Sequence, residues 1–225
     1  MGSSIITITP NANGCIGPPT TYTLTVSNCP PVTLNLKLFI EGYYDAGSLM
    51  RPVMFNQGVI VDPNASQMDN VIVELHSSVS PYSMVKTTIA SLNRNGTLAC
   101  NFSGSVTNSY YYIVVHHRNS LVTWSAEPVL ITPSTFYDFS NLASKAFGNN
   151  QIDVSGNGSI WAFYNADINQ DENIDLLDLV YIESDINDFQ FGYQTSDING
   201  DGNVDLLDLP LLEANVNDFI FSIHP

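Results

Sequence analysis

Lysine and arginine are scarce in this chain, and its C-terminal third has neither. All six Lys and Arg lie before residue 151, while 22 acids bring the formal net charge of the 225 residues to −16. Residues 1–150 hold seven acids against the six bases, a net of −1; residues 151–225 hold fifteen acids and no base, a net of −15. Such a segment repels phosphates, which excludes nucleic acid as a partner, and repels itself unless cations neutralise it. Cysteine is almost as rare: Cys15, Cys29 and Cys100. Three thiols make no disulfide framework, and none is spaced as a zinc or redox pair. Cys15 and Cys29 are the pair placed to close a short loop, joined or not. No apolar run is long enough for a transmembrane helix, and residues 1–7 lack the basic and apolar regions of a signal peptide. Either a signal has been removed, or the chain is part of a longer protein, or Met1 is not native. No nucleophile elbow, His-Glu-x-x-His, phosphate loop or dinucleotide fingerprint occurs, so no catalytic residue is assigned and no enzyme is expected.

The acids that are present fall into a pattern. Asp167, Asn169, Asp171, Asn173, Asp175 and Asp178 stand at positions one, three, five, seven, nine and twelve of a loop. Thirty residues on, Asp197, Asn199, Asp201, Asn203, Asp205 and Asp208 repeat it in register, and 15 of 26 positions are identical between 167–192 and 197–222. A hard divalent cation such as Ca²⁺ takes six to eight oxygens, and this spacing supplies them as the loop winds round the ion. Two Ca²⁺ sites are therefore expected. Side-chain oxygens come from positions one, three, five and twelve, a backbone carbonyl from Asn173 or Asn203, and a water-mediated contact from Asp175 or Asp205. Ile174 and Val204, at position eight, are expected to pair the two loops in a short β-contact. Gly202 suits the sharp turn at position six; Glu172 occupies that place in the first loop at a cost of roughly 1–2 kcal/mol, which predicts a weaker or remodelled first site. Free calcium is millimolar outside cells, so an extracellular or bacterial cell-surface location is expected.

Upstream the chain reads as β. Residues 1–32 carry two alternating stretches, 5–9 and 21–27, too few strands to stand alone in water. They must dock on the domain after them, belong to a preceding domain, or add to another molecule's sheet. Residues 33–140 contain short alternating runs at 32–44, 71–76, 84–92, 97–102, 110–116, 121–125 and 129–132, separated by turn signals, which predicts an antiparallel β-sandwich, Ig-like or transthyretin-like. Asn95-Gly96 is read as a hairpin turn. Residues 141–160 read as a loop-rich linker, and 161–225 as the repeat module. His76, His116 and His117 sit in strands without metal spacing. Tyr110 to Tyr112 and Trp124 suit a sandwich core, with a glycan-binding face as the alternative.

The duplicated loop ending in Asp at position twelve, followed by a short helix, resembles the dockerin type I repeat over residues 161–225. The resemblance implies two Ca²⁺ and a cohesin-type protein partner. Dockerins are mostly polar at positions ten and eleven, where they meet cohesin, whereas this chain has Leu176, Leu177, Leu206 and Leu207 there. A short helix apolar nearly all round is buried on more than one side, so these leucines are expected to pack inside the chain. The leading expectation is thus a secreted, non-catalytic structural or adhesive protein that two Ca²⁺ stabilise, without membrane insertion. Anchoring to a cohesin-type partner, self-assembly through the N-terminal strands, and glycan binding are the alternatives.

Overall fold

Alternation sets the first core strand: in β5 (Val32–Lys37) Val32, Leu34 and Leu36 are buried while the residues between them are half-buried. The computed structural model describes residues 2–26 and 30–225. β5 lies between β8 (Thr97–Phe102) and β12 (Ser134–Asp138) in a three-stranded sheet. Facing it is a five-stranded sheet of β6 (Gln67–Ser77), β7 (Met84–Asn93), β9 (Ser109–His117), β10 (Ser120–Trp124) and β11 (Val129–Ile131), in the order β10-β9-β6-β7 with β11 also on β9. The inner faces meet through Leu34, Leu36, Met68, Val73, Leu75, Leu98, Ile113 and Val115. Each such aliphatic side chain contributes roughly 1.5–3 kcal/mol by leaving water.

Three local expectations are corrected. The pairing is not wholly antiparallel, since β12 runs parallel to β5, with Phe136 opposite Asn35. The turn at Asn95-Gly96 does not close a hairpin: β7 pairs with β6 and β8 with β5, so the chain changes sheets there. The strand expected over 32–44 stops at Lys37, and a 3₁₀ turn follows at Glu41–Tyr43. That turn carries Gly42 where a Cβ would lie 2.1 Å from the Ile198 carbonyl, so this strand end is pressed against the acidic repeats.

After the single turn α1 (Val53–Asn56) beside the sandwich, α2 (Leu176–Asn187) and α3 (Leu209–Asn217) of the repeat unit each follow one loop. Ile168, Ile174, Ile182, Ile198, Val204 and Leu212 form its core, closed from the sandwich side by Leu121. The two loops do not pair with each other as expected. Ile174 N–H donates to Ile220 O, and Asn173 bridges Phe221; Val204 N–H donates to Gln190 O, and Asn203 bridges Phe191. Each loop is thus stitched to the segment that follows the other loop's helix. Residues 141–160 carry two 3₁₀ turns and β13 (Ile152–Asp153), which pairs with β14 (Trp161–Ala162); Ile152, Val154 and Ile160 pack against the sandwich core.

Sandwich and repeats share one buried polar cluster. Asp69, fully buried on β6, accepts from Arg118 Nε at 2.9 Å and Tyr193 Oη at 2.7 Å, and lies 3.1 Å from His117 Nε2. Burial alone would raise the carboxyl's pKa, but the hydrogen bond and charge of His117, with Arg118 and Tyr193, hold it well below the ordinary carboxylate range. A depressed folded-state pKa contributes stability that is present above the unfolded value of about 4 and lost as pH falls below it. Asp69→Asn is therefore expected to cost about 3–5 kcal/mol in urea unfolding at pH 7, because it takes from the largely covered Arg118 the carboxylate that balances its charge. The same comparison at pH 3 is expected to give a smaller difference.

Candidate metal centre

Each loop is wound by its own side chains. Asp171 N–H donates to Asp167 Oδ1 at 3.2 Å and to Asn169 Oδ1 at 2.9 Å, and Asn173 N–H donates to Asp171 Oδ1 at 3.0 Å. In the second loop Asp201 N–H meets Asp197 Oδ1 at 3.2 Å and Asn199 Oδ1 at 2.8 Å, and Asn203 N–H meets Asp201 Oδ1 at 2.9 Å. The twelfth residue folds back over the first turn. Asp178 Oδ1 accepts from Ile168 N–H and Asn169 N–H, while Oδ2 accepts from Asp175 N–H at 3.0 Å. Asp208 makes the same three bonds to Ile198, Asn199 and Asp205. Asp175 also caps α2, accepting from Leu177 N–H at 2.7 Å; Asp205 accepts likewise from Leu207. All twelve residues expected from the spacing thus gather in two closely similar loops.

The electrostatics of these loops favour a cation. Asp167, Asp178, Asp197 and Asp208 are completely buried in a segment that contains no Lys or Arg. Burial pushes the Asp167 carboxyl up to about 7, with the Asp178 charge adding to it. Asp208 is likewise pushed up to about 7 by burial, and Asp178 and Asp197 are raised for the same reason. Asp167 Oδ2 is buried without any hydrogen-bond partner. A buried, unpaired carboxylate oxygen is costly unless a cation meets it. Among the described residues no group of three His, Cys, Asp or Glu is placed to hold a metal by itself. The loops' donor set is wider, since Asn169, Asn199 and a main-chain carbonyl add the neutral oxygens that calcium accepts. The residues present fit a hard cation.

The two loops differ in their surroundings. The second is seated on the sandwich: Gln57 Nε2 donates to Asp197 Oδ2 at 2.6 Å, Arg51 Nη1 to Asn199 O, and Asn56 Nδ2 to Gly200 O at 2.8 Å. Tyr43 Oη and Asn119 Nδ2 both donate to Asp197 O at 3.3 Å. Position six has positive φ in both loops, +70° at Glu172 and +96° at Gly202. A Cβ on Gly202 would come 2.2 Å from Asn56 O, whereas Glu172 is exposed and free of that constraint. Docking, in addition to turn geometry, is what demands glycine in the second loop.

A third loop of this shape lies outside the acidic repeats. Asp153, Ser155 and Asn157 stand at positions one, three and five, and Gly158 at six. Gly156 N–H donates to Asp153 Oδ1, Gly158 N–H to Asp153 Oδ2 and Ser159 N–H to Asn157 Oδ1. The equivalent bonds in the second loop come from Gly200, Gly202 and Asn203. The alternate spacing of Asp, Ser and Asn before Gly158 was the available signal. The third loop has one carboxylate and no closing acid at position twelve, where Tyr164 stands.

The leucine pairs overturn an expectation. Leu176, Leu177, Leu206 and Leu207 are 66, 58, 68 and 68% exposed, with Val180 and Tyr181 exposed beside them. The inward sides of the helices are Ile182 and Leu212, which fill the core; the leucine pairs look out. The histidines are paired within the sandwich: His76 Nε2 lies 2.7 Å from Glu74, His116 lies 3.4 Å from the same carboxylate, and His117 meets Asp69. Trp124 is buried among Tyr112, Val114 and Val122, while Tyr110 is exposed. Cys15 is exposed and Cys100 buried; Cys29, and with it the expected pairing, lies outside the described residues.

Gly202→Ala combines a left-handed turn with a blocked approach, so it is expected to cost at least about 2 kcal/mol. Glu172→Ala, at the solvent-facing equivalent, is expected to change stability by less than about 1 kcal/mol. Denaturant unfolding of the two variants measures the difference.

Residues 165–217 match the family model of the dockerin type I domain. No curated protein matches the chain in sequence. Among solved structures it is similar to the crystal structure of a type II cohesin–X–dockerin complex, an N-terminal interface mutant, from Acetivibrio cellulolyticus. That likeness has 14% identity and a TM-score of 0.45, and covers 84% of this chain and 97% of that one. The C-terminal part of this chain is a dockerin type I domain, which follows a β-sandwich.

Proposed function

We propose that this chain is a secreted, non-catalytic anchoring protein whose dockerin domain holds two Ca²⁺ and offers its leucine pairs to a cohesin-type partner. In this reading residues 33–140 are the sandwich, 141–160 the connection and 161–225 the calcium module. The observation that carries it is the exposure of Leu176, Leu177, Leu206 and Leu207. Four large aliphatic side chains held in water on one small unit are characteristic of a binding surface. They occupy positions ten and eleven of both loops, the places at which the dockerin resemblance puts the partner.

The metal part of the proposal rests on the buried carboxylates. Asp167, Asn169, Asp171, Asn173, Asp175 and Asp178 would hold one ion, and Asp197, Asn199, Asp201, Asn203, Asp205 and Asp208 the other. Bound calcium supplies the positive charge that the segment lacks. Because the ion binds the folded loop and not the unfolded chain, its binding free energy becomes folding free energy. The third loop supports this division of labour: Asn157 at its fifth position accepts the same main-chain bond as Asp201, so a carboxylate at that position is not needed for the turn itself. Among the described residues no helix is long and apolar enough to cross a membrane.

Calcium at about one hundred times its dissociation constant is expected to add about 2.7 kcal/mol per site, roughly 5–10 °C in melting temperature for a chain of this size. A melting curve that chelator leaves unchanged rejects the metal reading. In titration calorimetry against a panel of type I and type II cohesin domains, Leu176→Asp with Leu206→Asp is expected to weaken binding at least about 100-fold, with calcium-dependent melting retained. If no cohesin domain binds the parent chain, the anchoring reading fails while the metal reading stands.

A further inference from the structure

The first charged residue of the chain is Lys37; none of the preceding 36 carries a charge. Within this stretch β1 (Gly2–Ile8) and β4 (Thr20–Val26) form an antiparallel ribbon extended by β2 (Asn11–Ala12) and β3 (Cys15–Ile16) at its tip. Its register puts Ile6 opposite Tyr22 and Ser4 opposite Leu24, so Ile6, Ile8, Tyr22 and Leu24 share one face, against a Thr-rich face of Thr7, Thr21, Thr23 and Thr25. Every described residue from Ser3 to Thr25 except Gly17 is exposed. Two strands are marginal in water, and both outer edges lack the charges and bulges that natural sheets use to stop further pairing.

The same chain carries a matching edge. β7 is ten residues long and pairs with β6 on one side; among the described residues its other side has no strand. The other open edges of the sandwich, β8, β10, β11 and β12, are six residues or fewer, so β7 alone accommodates a seven-residue strand. Met84, Val85 and Ile89 are exposed on it, and its single charge is Lys86, with no acid. In a protein of net charge −16, an uncharged ribbon and an acid-free edge are the two surfaces that approach without like-charge repulsion.

We infer that the N-terminal ribbon of one copy adds to the free edge of β7 in a second copy. Main-chain hydrogen bonds provide the attachment, and Ile6, Ile8 and Leu24 lie alongside Val85 and Ile89. Donor and acceptor are different surfaces of the same chain, so the contact is head-to-tail and leaves a free ribbon at one end and a free β7 at the other. Repeated without closing into a ring, it makes an open filament. The inference is independent of the metal and cohesin readings, since neither surface includes a loop acid or a leucine pair.

Sedimentation velocity of the full chain in calcium tests it. Species larger than the 24.6 kDa monomer are expected to grow with concentration. Ile6→Lys with Leu24→Lys spoils the ribbon, and Val85→Lys with Ile89→Lys spoils the edge; all four positions are exposed, and unchanged melting curves verify folding. Each double variant is expected to be monomeric. Mixed together, the two retain one intact donor and one intact acceptor, so they are expected to form a one-to-one dimer and nothing larger. A parent chain that stays monomeric, assembly that survives either double variant, or a mixture that stays monomeric overturns the inference.

Discussion

Four aspartates are buried in a segment that has no Lys or Arg, and the C-terminal fold depends on resolving that conflict. Asp167, Asp178, Asp197 and Asp208 tie their loops by accepting main-chain N–H groups, so they cannot be moved to the surface without unwinding the turns. Their burial lifts their proton affinities, which is the mark of charge held in a place that disfavours it. Hydrogen bonds satisfy part of the oxygen lone pairs. The orphaned Asp167 Oδ2 is the part they do not satisfy, and a cation of high charge and flexible coordination is the complement such a site lacks.

Around that constraint the two repeats are interlocked. Loop one is paired with the segment after α3, and loop two with the segment after α2. Neither repeat completes its own β-contact, which is the physical reason for the duplication to extend as far as Phe191 and Phe221. The sandwich breaks the symmetry: Tyr43, Gln57, Arg51 and Asn119 hold the second loop, while the acids and amides of the first loop's turn, Asp171, Glu172 and Asn173, face solvent. Two loops close in sequence thus occupy different environments, one as part of an interface and the other as a largely free surface.

How much was legible in the sequence depends on how local each determinant is. The loop residues are encoded within twelve positions, and alternation within single strands reveals the sandwich, so both could be read directly. The partners of the second loop come from residues 43–57 and 119, which have no signature of their own. Strand order is also non-local, and the change of sheet at Gly96 looks in sequence like any tight hairpin turn. The leucine pairs misled for a different reason. Apolar residues round a helix usually mean burial, but the same pattern arises when the covering surface belongs to another molecule. The third loop is hard to see in the sequence because Ser155 and Asn157 replace the carboxylates by which such loops are recognised.

The seating of the second loop also has a mechanical meaning. A pull applied between the N-terminal ribbon and a partner on the leucine pairs would pass through the sandwich and cross into the second loop at Asp197, Asn199 and Gly200, where the side chains of Tyr43, Arg51, Asn56 and Asn119 grip the main chain and Gln57 grips the Asp197 carboxylate. Several hydrogen bonds arranged along one loop share such a load and must yield together, unlike a sequence of bonds that open one by one. The first loop and the C-terminal segment stitched to it have fewer such ties, from Gln170 Nε2 to Ser120 O and from Ser222 Oγ to Val122 O. The larger share of the tension would therefore fall on the loop that glycine lets approach the sandwich most closely, and the smaller share on its twin.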